Sequence, residues 1–340
     1  MPPSNASTIK VTVANGVYEE MLSNVNKSSL VINGESRDNT IIQFENYDTF
    51  LPGVGGFADA STAVTSYTTP NGDMITVPIG GTSKLYEGGR SLYELAASNT
   101  EINNITIKNT HVKVSSLNNA AETLYFNASG KFISRDTNWI SSQDTLQVKG
   151  DTWFYNCLVA GDLDFIWGSP LVGLFENCEI RTRVDPTAAN GPSYAVQSRG
   201  VSPNPGFIFL NSRFTAESGV PAGSGYLARS QSTTGTPLYD PIVFTSCVVG
   251  PHIKAAGFYG TSATTSPTDV TGLRYYNLTD TNNAAWVPSG STTPFFALTP
   301  AQNAALYPDR AKIYSATSVS DGGSPANTYT SIAWTLSTTY

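Results

Sequence analysis

Charged side chains are scarce in this chain, since Asp, Glu, Lys and Arg together make up 13% of its 340 residues. Cysteine is scarcer still: there are three, an odd number and too few for a disulfide framework. Long helical patterns rich in Leu, Ala, Glu and Lys are nearly absent, which favours an all-β fold. No apolar run approaches the roughly 18 residues of a membrane-spanning helix. The net charge of −7 argues against a nucleic-acid surface, which needs a basic face.

What the chain does contain is a repeat of short strand-like runs, each closed by a polar residue. Asp136 in FISRDT, Asn156 in WFYNCL and Asn177 in GLFENCEI are separated by 20 and 21 residues. Asn211 and Ser246 continue the pattern. A period of this length indicates a solenoid that adds one coil per period. We expect the repeated asparagines to lie inside the stack and to hydrogen-bond along it. These are Asn109, Asn156, Asn177 and Asn211.

The three cysteines follow the same repeat, because Cys157, Cys178 and Cys247 each come directly after the repeated polar residue. Equivalent positions in successive coils stack on one another. We therefore predict that the cysteines are small core residues, and neither nucleophiles nor metal ligands.

Outside the repeat, the sequence predicts the first strand of the coil at 8–20 and two more strands at 29–44, around Gly34. Residues 45–97 include a Gly/Ser/Thr-rich stretch that is typical of a long surface loop. A short helix is expected at 298–307, with Thr299 as its N-cap and proline at the next position.

Two acidic residues, Asp144 and Asp164, lie one period apart in the stretch SSQDTLQVKGDTWFYNCLVAGDLDFIWG. Parallel strands stack about 4.7–4.9 Å apart, so one period brings the two carboxyl groups side by side. The charge of one carboxylate raises the proton affinity of its neighbour. The pair is therefore suited to one ionised and one protonated role.

The segments QDTL at 143–146 and GDLDFIWG at 161–168, in this order and at this separation, resemble the two signature segments of the pectin methylesterases, or pectinesterases. The resemblance covers roughly residues 8–260. It implies a right-handed parallel β-helix of the pectin-lyase-like kind, an all-β solenoid. We expect one domain over 1–340, with a core at about 8–260 and a C-terminal packing segment and Ser/Thr-rich tail at about 261–340.

The resemblance also implies the catalytic roles. Asp164 matches the nucleophile, and Asp144 the acid that protonates methanol and then activates water. Gln143 matches a donor to the oxyanion of the tetrahedral intermediate. Arg229, in YLARS, resembles the family arginine that is held against the nucleophile, and its planar fork suits a carboxylate.

Four aromatic residues are candidates for substrate binding by the same resemblance: Trp167, Phe165, Phe258 and Tyr226. Two departures from the family pattern affect the site. Ala120 stands near the position where the family has a second oxyanion-binding glutamine. Gln231 stands two residues after Arg229, where the family has a tryptophan.

No cofactor and no metal are expected, because the chain shows no Ser-His-Asp spacing, metal-ligand cluster or Gly-rich phosphate loop. The only two histidines, His111 and His252, are interpreted as structural. The implied substrate and partner is pectin, in the form of methylated homogalacturonan. We expect a monomer that binds neither nucleic acid nor membrane. Secretion to the extracellular space or periplasm is implied by the family, although MPPSNAST lacks the apolar core of a signal peptide.

Two other functions remain open at this point. The missing glutamine and tryptophan are compatible with an esterase on the same scaffold that acts on another acyl or thioester substrate. A non-catalytic, glycan-binding β-helix is the other alternative. A pectate lyase is disfavoured, because no acidic cluster suited to calcium is evident in the sequence.

Overall fold

The computed structural model describes residues 7–24, 29–48, 91–95, 99–115, 119–126, 130–187, 193–200, 204–230, 239–260, 272–290, 295–315 and 337–338. It also describes the backbone of 50–51, 56–57, 66–68 and 74–76. Most of the predicted loop at 45–97, and Gln231, lie outside the described residues.

The described chain is built almost entirely from short strands. In order they are β1 (Ile9–Val13), β2 (Gly16–Glu19), β3 (Leu22–Asn24), β4 (Leu30–Gly34), β5 (Thr40–Phe44), β6 (Phe50–Leu51), β7 (Gly56–Phe57), β8 (Ser66–Thr68), β9 (Met74–Thr76), β10 (Tyr93–Leu95), β11 (Asn99–Asn103), β12 (Thr106–Asn109), β13 (Leu124–Phe126), β14 (Lys131–Arg135), β15 (Asn138–Ile140), β16 (Leu146–Tyr155), β17 (Leu158–Gly161), β18 (Leu163–Glu176), β19 (Glu179–Thr182), β20 (Ser193–Ser198), β21 (Gly206–Leu210), β22 (Arg213–Ala216), β23 (Gly225–Arg229), β24 (Ile242–Thr245), β25 (Val248–Val249), β26 (Phe258–Tyr259), β27 (Leu273–Tyr276), β28 (Thr279–Asp280) and β29 (Phe295–Ala297). Two helices follow, α1 (Pro300–Leu306) and α2 (Arg310–Ser315).

Two short antiparallel pairs, β6-β7 and β8-β9, stand apart from the rest. The other strands stack in parallel on three faces of a coil. The back face has the order β2-β5-β12-β15-β17-β19-β22-β25-β28. The front face runs β3-β10-β13-β16-β18-β20-β23-β26, and the helix face runs β1-β4-β11-β14-β16-β18-β21-β24-β27-β29. The long strands β16 and β18 belong to both, and their pairing shifts register between Gly150 and Asp151 as they bend from the front face to the helix face. This is a parallel β-helix.

The repeated polar residues form the corner between the helix face and the back face. Each adopts positive φ, as in Asp136 (51°), Asn156 (53°), Asn177 (55°) and Ser246 (53°). Asn and Asp are the residues other than glycine that most readily adopt this conformation, which lets the chain turn within one residue. The backbone N–H of Asn156 also donates to Glu176 in the next coil at 3.0 Å.

The expectation that these asparagines line the interior was wrong for Asn156, Asn177 and Asn211, and right for Asn109. Asn156, Asn177 and Asn211 are exposed, because an αL corner directs the side chain away from the coil. The corner position of the earlier coil is held by Asn104, with φ 55°, and not by Asn109. Asn109 is buried in another turn, where its amide donates to the carbonyls of Asn46 and Glu122.

The core confirms the cysteine prediction: Cys157, Cys178 and Cys247 are all buried among apolar side chains, and none forms a disulfide. Phenylalanines stack beside them along the coil. The rings of Phe154 and Phe175 are 4.5 Å apart and nearly parallel. A regular stack of this kind follows directly from the strand register, which pairs these two residues.

The coil continues beyond the expected core boundary at 260. Strands β27, β28 and β29 extend the helix and back faces as far as Ala297. The predicted helix is confirmed as α1: Thr299 caps it, and Gln302 completes a capping box. Helices α1 and α2 then cover the helix face, where Leu306, Ile313 and Tyr314 join its apolar cluster. In the part of the chain that the structure describes, no helix is long and apolar enough to cross a membrane.

Candidate active site

The two aspartates of the sequence motif occupy equivalent corners of successive coils, where the back face meets the front face. Asp144 has φ 62° and Asp164 has φ 49°. The backbone N–H of Asp144 donates to the carbonyl of Leu163 at 3.0 Å, and Gln143 bridges to Leu163 in parallel register. Consecutive residues of a straight strand point to opposite faces. Because the chain turns at Asp144, Gln143 and Asp144 are not bound by that alternation.

Two glycines of the motif leave no room for a side chain. A Cβ on Gly161 would lie 2.2 Å from Cβ of Phe165 and 2.5 Å from Oγ1 of Thr145. Gly168 has φ +128°, and a Cβ there would lie 2.2 Å from the carbonyl oxygen of Val148. The backbone on both sides of Asp164 is therefore packed directly against the preceding coil.

Arg229 holds Asp164 with both arms of its guanidinium. Nε donates to Oδ1 at 2.6 Å, and Nη2 donates to Oδ2. Asp164 is 4% exposed, whereas Arg229 is half-buried. This is the bidentate arrangement in which a buried carboxylate is best stabilised as an anion.

The charges in this pair respond to burial and to each other. Burial raises the pKa of Asp164 above its usual value, while the hydrogen bond and charge of Arg229, the charge of Arg199 and the amide of Gln197 act in the opposite direction. Burial alone would lower the pKa of Arg229, but Asp164 raises it, with smaller contributions from Tyr194 and Asp144. Asp144 is thus close enough for its charge to act on the guanidinium.

Gln143 and Ala120 are neighbours in the coil. They form a parallel bridge, and Ala120 is buried at 3% exposure. The position suggested by the family pattern therefore lies directly beside Gln143, one coil upstream, and holds a side chain that cannot donate a hydrogen bond. The side chain of Gln143 is half-buried.

The structure separates the four aromatic candidates. Phe165 and Phe258 belong to the hydrophobic core, at 0% and 3% exposure, so their rings contact other core side chains. Trp167 is 3% exposed, and the guanidinium of Arg199 lies 4.3 Å from its ring centroid. Tyr226 is half-buried.

Tyr226 belongs to a group of three tyrosines beside Arg229 that sequence reasoning did not assemble. The ring centroids of Tyr194, Tyr226 and Tyr259 are 5.3–5.7 Å from one another. Arg229 lies 4.9 Å from the ring of Tyr194, and Nζ of Lys254 lies 4.9 Å from that of Tyr226. Tyr194 and Tyr226 are paired strand neighbours, and Tyr259 pairs with Arg229, so the group can be recognised only once the strand register is known.

Both histidines lie in buried structural positions. His111 is stacked on Tyr47 at 3.8 Å and contacts Oδ1 of Asn119 at 3.0 Å through Nε2. Burial lowers the pKa of His252 to about 4. Among the residues that the structure describes, no group of three or more His, Cys, Asp or Glu side chains is arranged to hold a metal.

Comparison with known families gives one match, and it covers well over half of the chain. The sequence model of the family described as Pectinesterase matches residues 72–286. A comparison with curated proteins found no match.

Solved structures resemble the whole coil. A pectin methylesterase from Erwinia chrysanthemi is 23% identical, with a TM-score of 0.68, and the match covers 91% of this chain and 89% of that one. One from Yersinia enterocolitica is 23% identical, with a TM-score of 0.65 and coverage of 92% and 95%. A pectin methylesterase in complex with a hexasaccharide is 23% identical, with a TM-score of 0.67 and coverage of 91% and 89%. At this identity the likeness shows the fold, a right-handed parallel β-helix.

Proposed function

The chain belongs to the pectinesterase family of carboxylic ester hydrolases, and from this premise we propose that it hydrolyses the methyl esters of galacturonate in pectin at a site built on Asp164. The observation that carries the proposal is the buried Asp164 carboxylate, held by both arms of Arg229, one coil away from Asp144. A nucleophilic carboxylate must be ionised, and a bidentate guanidinium favours the ionised form.

In the first half of the reaction, an oxygen of Asp164 attacks the ester carbonyl carbon. The resulting oxyanion accepts a hydrogen bond from the amide of Gln143. Asp144 then protonates the methoxy oxygen, and the bond between that oxygen and the carbonyl carbon breaks. Methanol leaves, and the galacturonyl group remains bonded to Asp164 as an anhydride.

In the second half, the Asp144 carboxylate takes a proton from water as that water attacks the acyl carbon. The anhydride bond to Asp164 breaks, so its carboxylate is regenerated. The net reaction consumes one ester and one water, and yields one carboxylic acid and one methanol. Arg229 contacts Asp164 throughout and fixes its orientation.

The tyrosine group offers a binding surface near this chemistry. Tyr259 is 48% exposed and lies beside Arg229 in the strand ladder. Aromatic rings bind sugars through their apolar faces, and Lys254 adds a positive charge suited to a uronate carboxylate. These residues take over the role that the family gives to the tryptophan replaced by Gln231, and a hexasaccharide bound to a solved relative supports a site that extends over several sugars.

The experiment is methanol release from highly methylated pectin by the parent chain and by Asp164→Asn. We expect release by the parent and a loss of at least about a thousandfold in the variant, because a neutral amide cannot attack. The control is Asp151→Asn, which removes another buried carboxylate on the helix face and leaves release unchanged.

The rival functions predict other results. A non-catalytic glycan-binding coil would bind pectin without releasing methanol. An esterase for another acyl group would hydrolyse a different ester from a substrate panel, with the same dependence on Asp164. We also propose that the protein acts outside the cytoplasm as a monomer; a dimer mass in light scattering would contradict the second of these.

A further inference from the structure

Gln197 lies in a row of paired residues on successive strands of the front face, which runs from Gln147 through Trp167 to Arg229. Its strand neighbours on the front face are Trp167 on one side and Arg229 on the other. The residue is wholly buried, at 0% exposure. A glutamine in such a position has to satisfy both ends of its amide.

Only one end is satisfied. Nε of Arg199 donates to Oε1 of Gln197 at 2.8 Å. Because a guanidinium only donates, this contact fixes the amide with its oxygen toward Arg199 and its nitrogen in the opposite direction. Among the residues that the structure describes, none accepts a hydrogen bond from Nε2. A buried donor without a hydrogen-bond partner is unfavourable, and in native proteins such a group often has a functional role.

Gln197 is the strand neighbour of Arg229, and Arg229 holds the Asp164 carboxylate, so the Gln197 amide and that carboxylate lie next to the same guanidinium. Gln197 lowers the pKa of Asp164 as a hydrogen-bond donor would, against the larger opposite effect of burial. Yet Nε2 of Gln197 and the Asp164 carboxylate are not hydrogen-bonded in this structure. Hydrogen bonds within a site are often long before substrate binds, and shorten in the complex.

A carboxylate can use such a donor even while Arg229 holds both of its oxygens. Each carboxylate oxygen has about two acceptor positions, so a guanidinium fork leaves further positions open. The oxygen that attacks an ester has to weaken its contact with the guanidinium. A second donor compensates for that loss on the carboxylate and keeps the remaining oxygen in place.

We propose that Gln197 is a positioning residue, oriented by Arg199, whose Nε2–H donates to the Asp164 carboxylate when substrate binds and holds it in the ionised, attacking orientation. The inference rests on the proposed role of Asp164 as nucleophile.

The test is the pH dependence of methanol release by Gln197→Met, which keeps the volume and loses the donor. We expect kcat to fall about tenfold, and the acid limb of kcat/KM to move up by about half a pH unit or more, because the neutral form of Asp164 becomes relatively more stable. Gln197→Glu places a like charge beside Asp164 and should move the limb further in the same direction.

Two further variants separate positioning from packing. Arg199→Lys keeps a positive charge at an exposed position but removes the Nε donor, so the amide is no longer oriented. It should shift the acid limb in the same direction as Gln197→Met, with little change in the thermal midpoint. Gln147→Met is the matched control: this buried amide lies on the other side of Trp167 in the same row and should leave the limb in place.

The outcomes are distinguishable. An active parent whose acid limb is unmoved in both Gln197→Met and Arg199→Lys overturns the positioning role and leaves the esterase intact. A fall in kcat matched only by a lower thermal midpoint shows a packing role, and also overturns it. A parent that releases no methanol overturns the proposed function itself.

Discussion

At the scale of single residues, the charge of Asp164 is set by two opposing effects. Burial favours the neutral acid, and the paired guanidinium favours the anion. The raised pKa shows that burial is the larger effect before substrate binds. This has a direct consequence for activity, because only the anion can attack.

We predict that activity is lost toward acid pH at a higher pH than an ordinary aspartate would give. Protonation of Asp164 removes the nucleophile, and its pKa lies above the usual value of about 3.9. The acid limb of kcat/KM, measured by methanol release from about pH 3 upwards, should therefore have its midpoint above about pH 4, the ordinary value for an aspartate. A limb below that value would contradict the charge balance described here.

A second prediction concerns the alanine beside Gln143. Ala120→Gln supplies a side-chain donor next to the existing one, and removal of a single oxyanion donor typically costs about 10²–10³ in rate. We expect the substitution to raise kcat by about tenfold or more. Ala120→Met, of similar size without a donor, should give no gain, and an equal gain from both would show that volume and not hydrogen bonding is responsible.

Much of the candidate site can be predicted from individual residues of the sequence. The motifs at 143–146 and 161–168, with the arginine of YLARS, predict three side chains that the structure brings together: Asp144, Asp164 and Arg229. The surroundings were not predictable. Whether Trp167 is open or covered depends on Arg199, which the strand register places across its ring. Gln197 belongs to no sequence motif, and its proposed role follows only from the direction in which Arg199 fixes its amide.

At the scale of elements, the corner residues decide how each coil turns. Most corners use Asn or Asp, but the corner between β24 and β25 is Ser246, with φ 53°. Serine adopts the left-handed region less readily than asparagine, because the short amide of asparagine can hydrogen-bond to the local backbone.

We predict that Ser246→Asn stabilises the protein. The gain should be about 0.5–1 kcal/mol in the free energy of unfolding, since the substitution relieves backbone strain at a half-buried position without altering the core. The matched exchange is Asn211→Ser, one coil upstream, which should destabilise by a similar amount. Chemical denaturation measures both, and effects of the same sign in the two variants would refute the corner argument.

The sequence predicts element positions well and side-chain direction less well. The two strands at 29–44 and the capped helix at 298–307 are present as predicted, and the segment 8–20 forms two strands where one was predicted. The repeated polar residue locates the corners at Asp136, Asn156, Asn177, Asn211 and Ser246 correctly, but it misplaces the earlier corner, which is Asn104 and not Asn109. It cannot tell whether a corner side chain faces the core or solvent, because that depends on the sign of φ.

At the scale of the whole molecule, the front and helix faces share β16 and β18 but have different surroundings. The front face carries the site, and the helix face is covered by α1 and α2. Asp151, on the helix face, is buried at 7% exposure, and the charge of this residue acts on Tyr314 of α2. Burial raises the pKa of Asp151 to about 6.

We predict that this carboxyl makes the fold less stable as pH rises. Because the folded-state pKa exceeds the unfolded value, the native state binds more protons between about pH 4 and pH 6, and its stability falls through that range. Asp151→Asn should remove the loss and stabilise the protein by about 1–3 kcal/mol at pH 7. Thermal midpoints from about pH 2 to about pH 8, a range that brackets both pKa values, measure the effect, and a variant less stable than the parent at pH 7 would contradict it.

The coil order also constrains how this protein can have changed through descent. Ala120, Gln143, Asp164, Gln197 and Arg229 come from five successive coils, and only stacking brings them together. Insertion of a whole coil anywhere between them would separate the proposed catalytic groups by a further strand spacing, so we expect the number of coils in this segment to be the same in relatives that share the activity. Length variation between relatives should therefore be confined to the connections between strands, such as 183–192 and 230–241, and to the two ends of the coil.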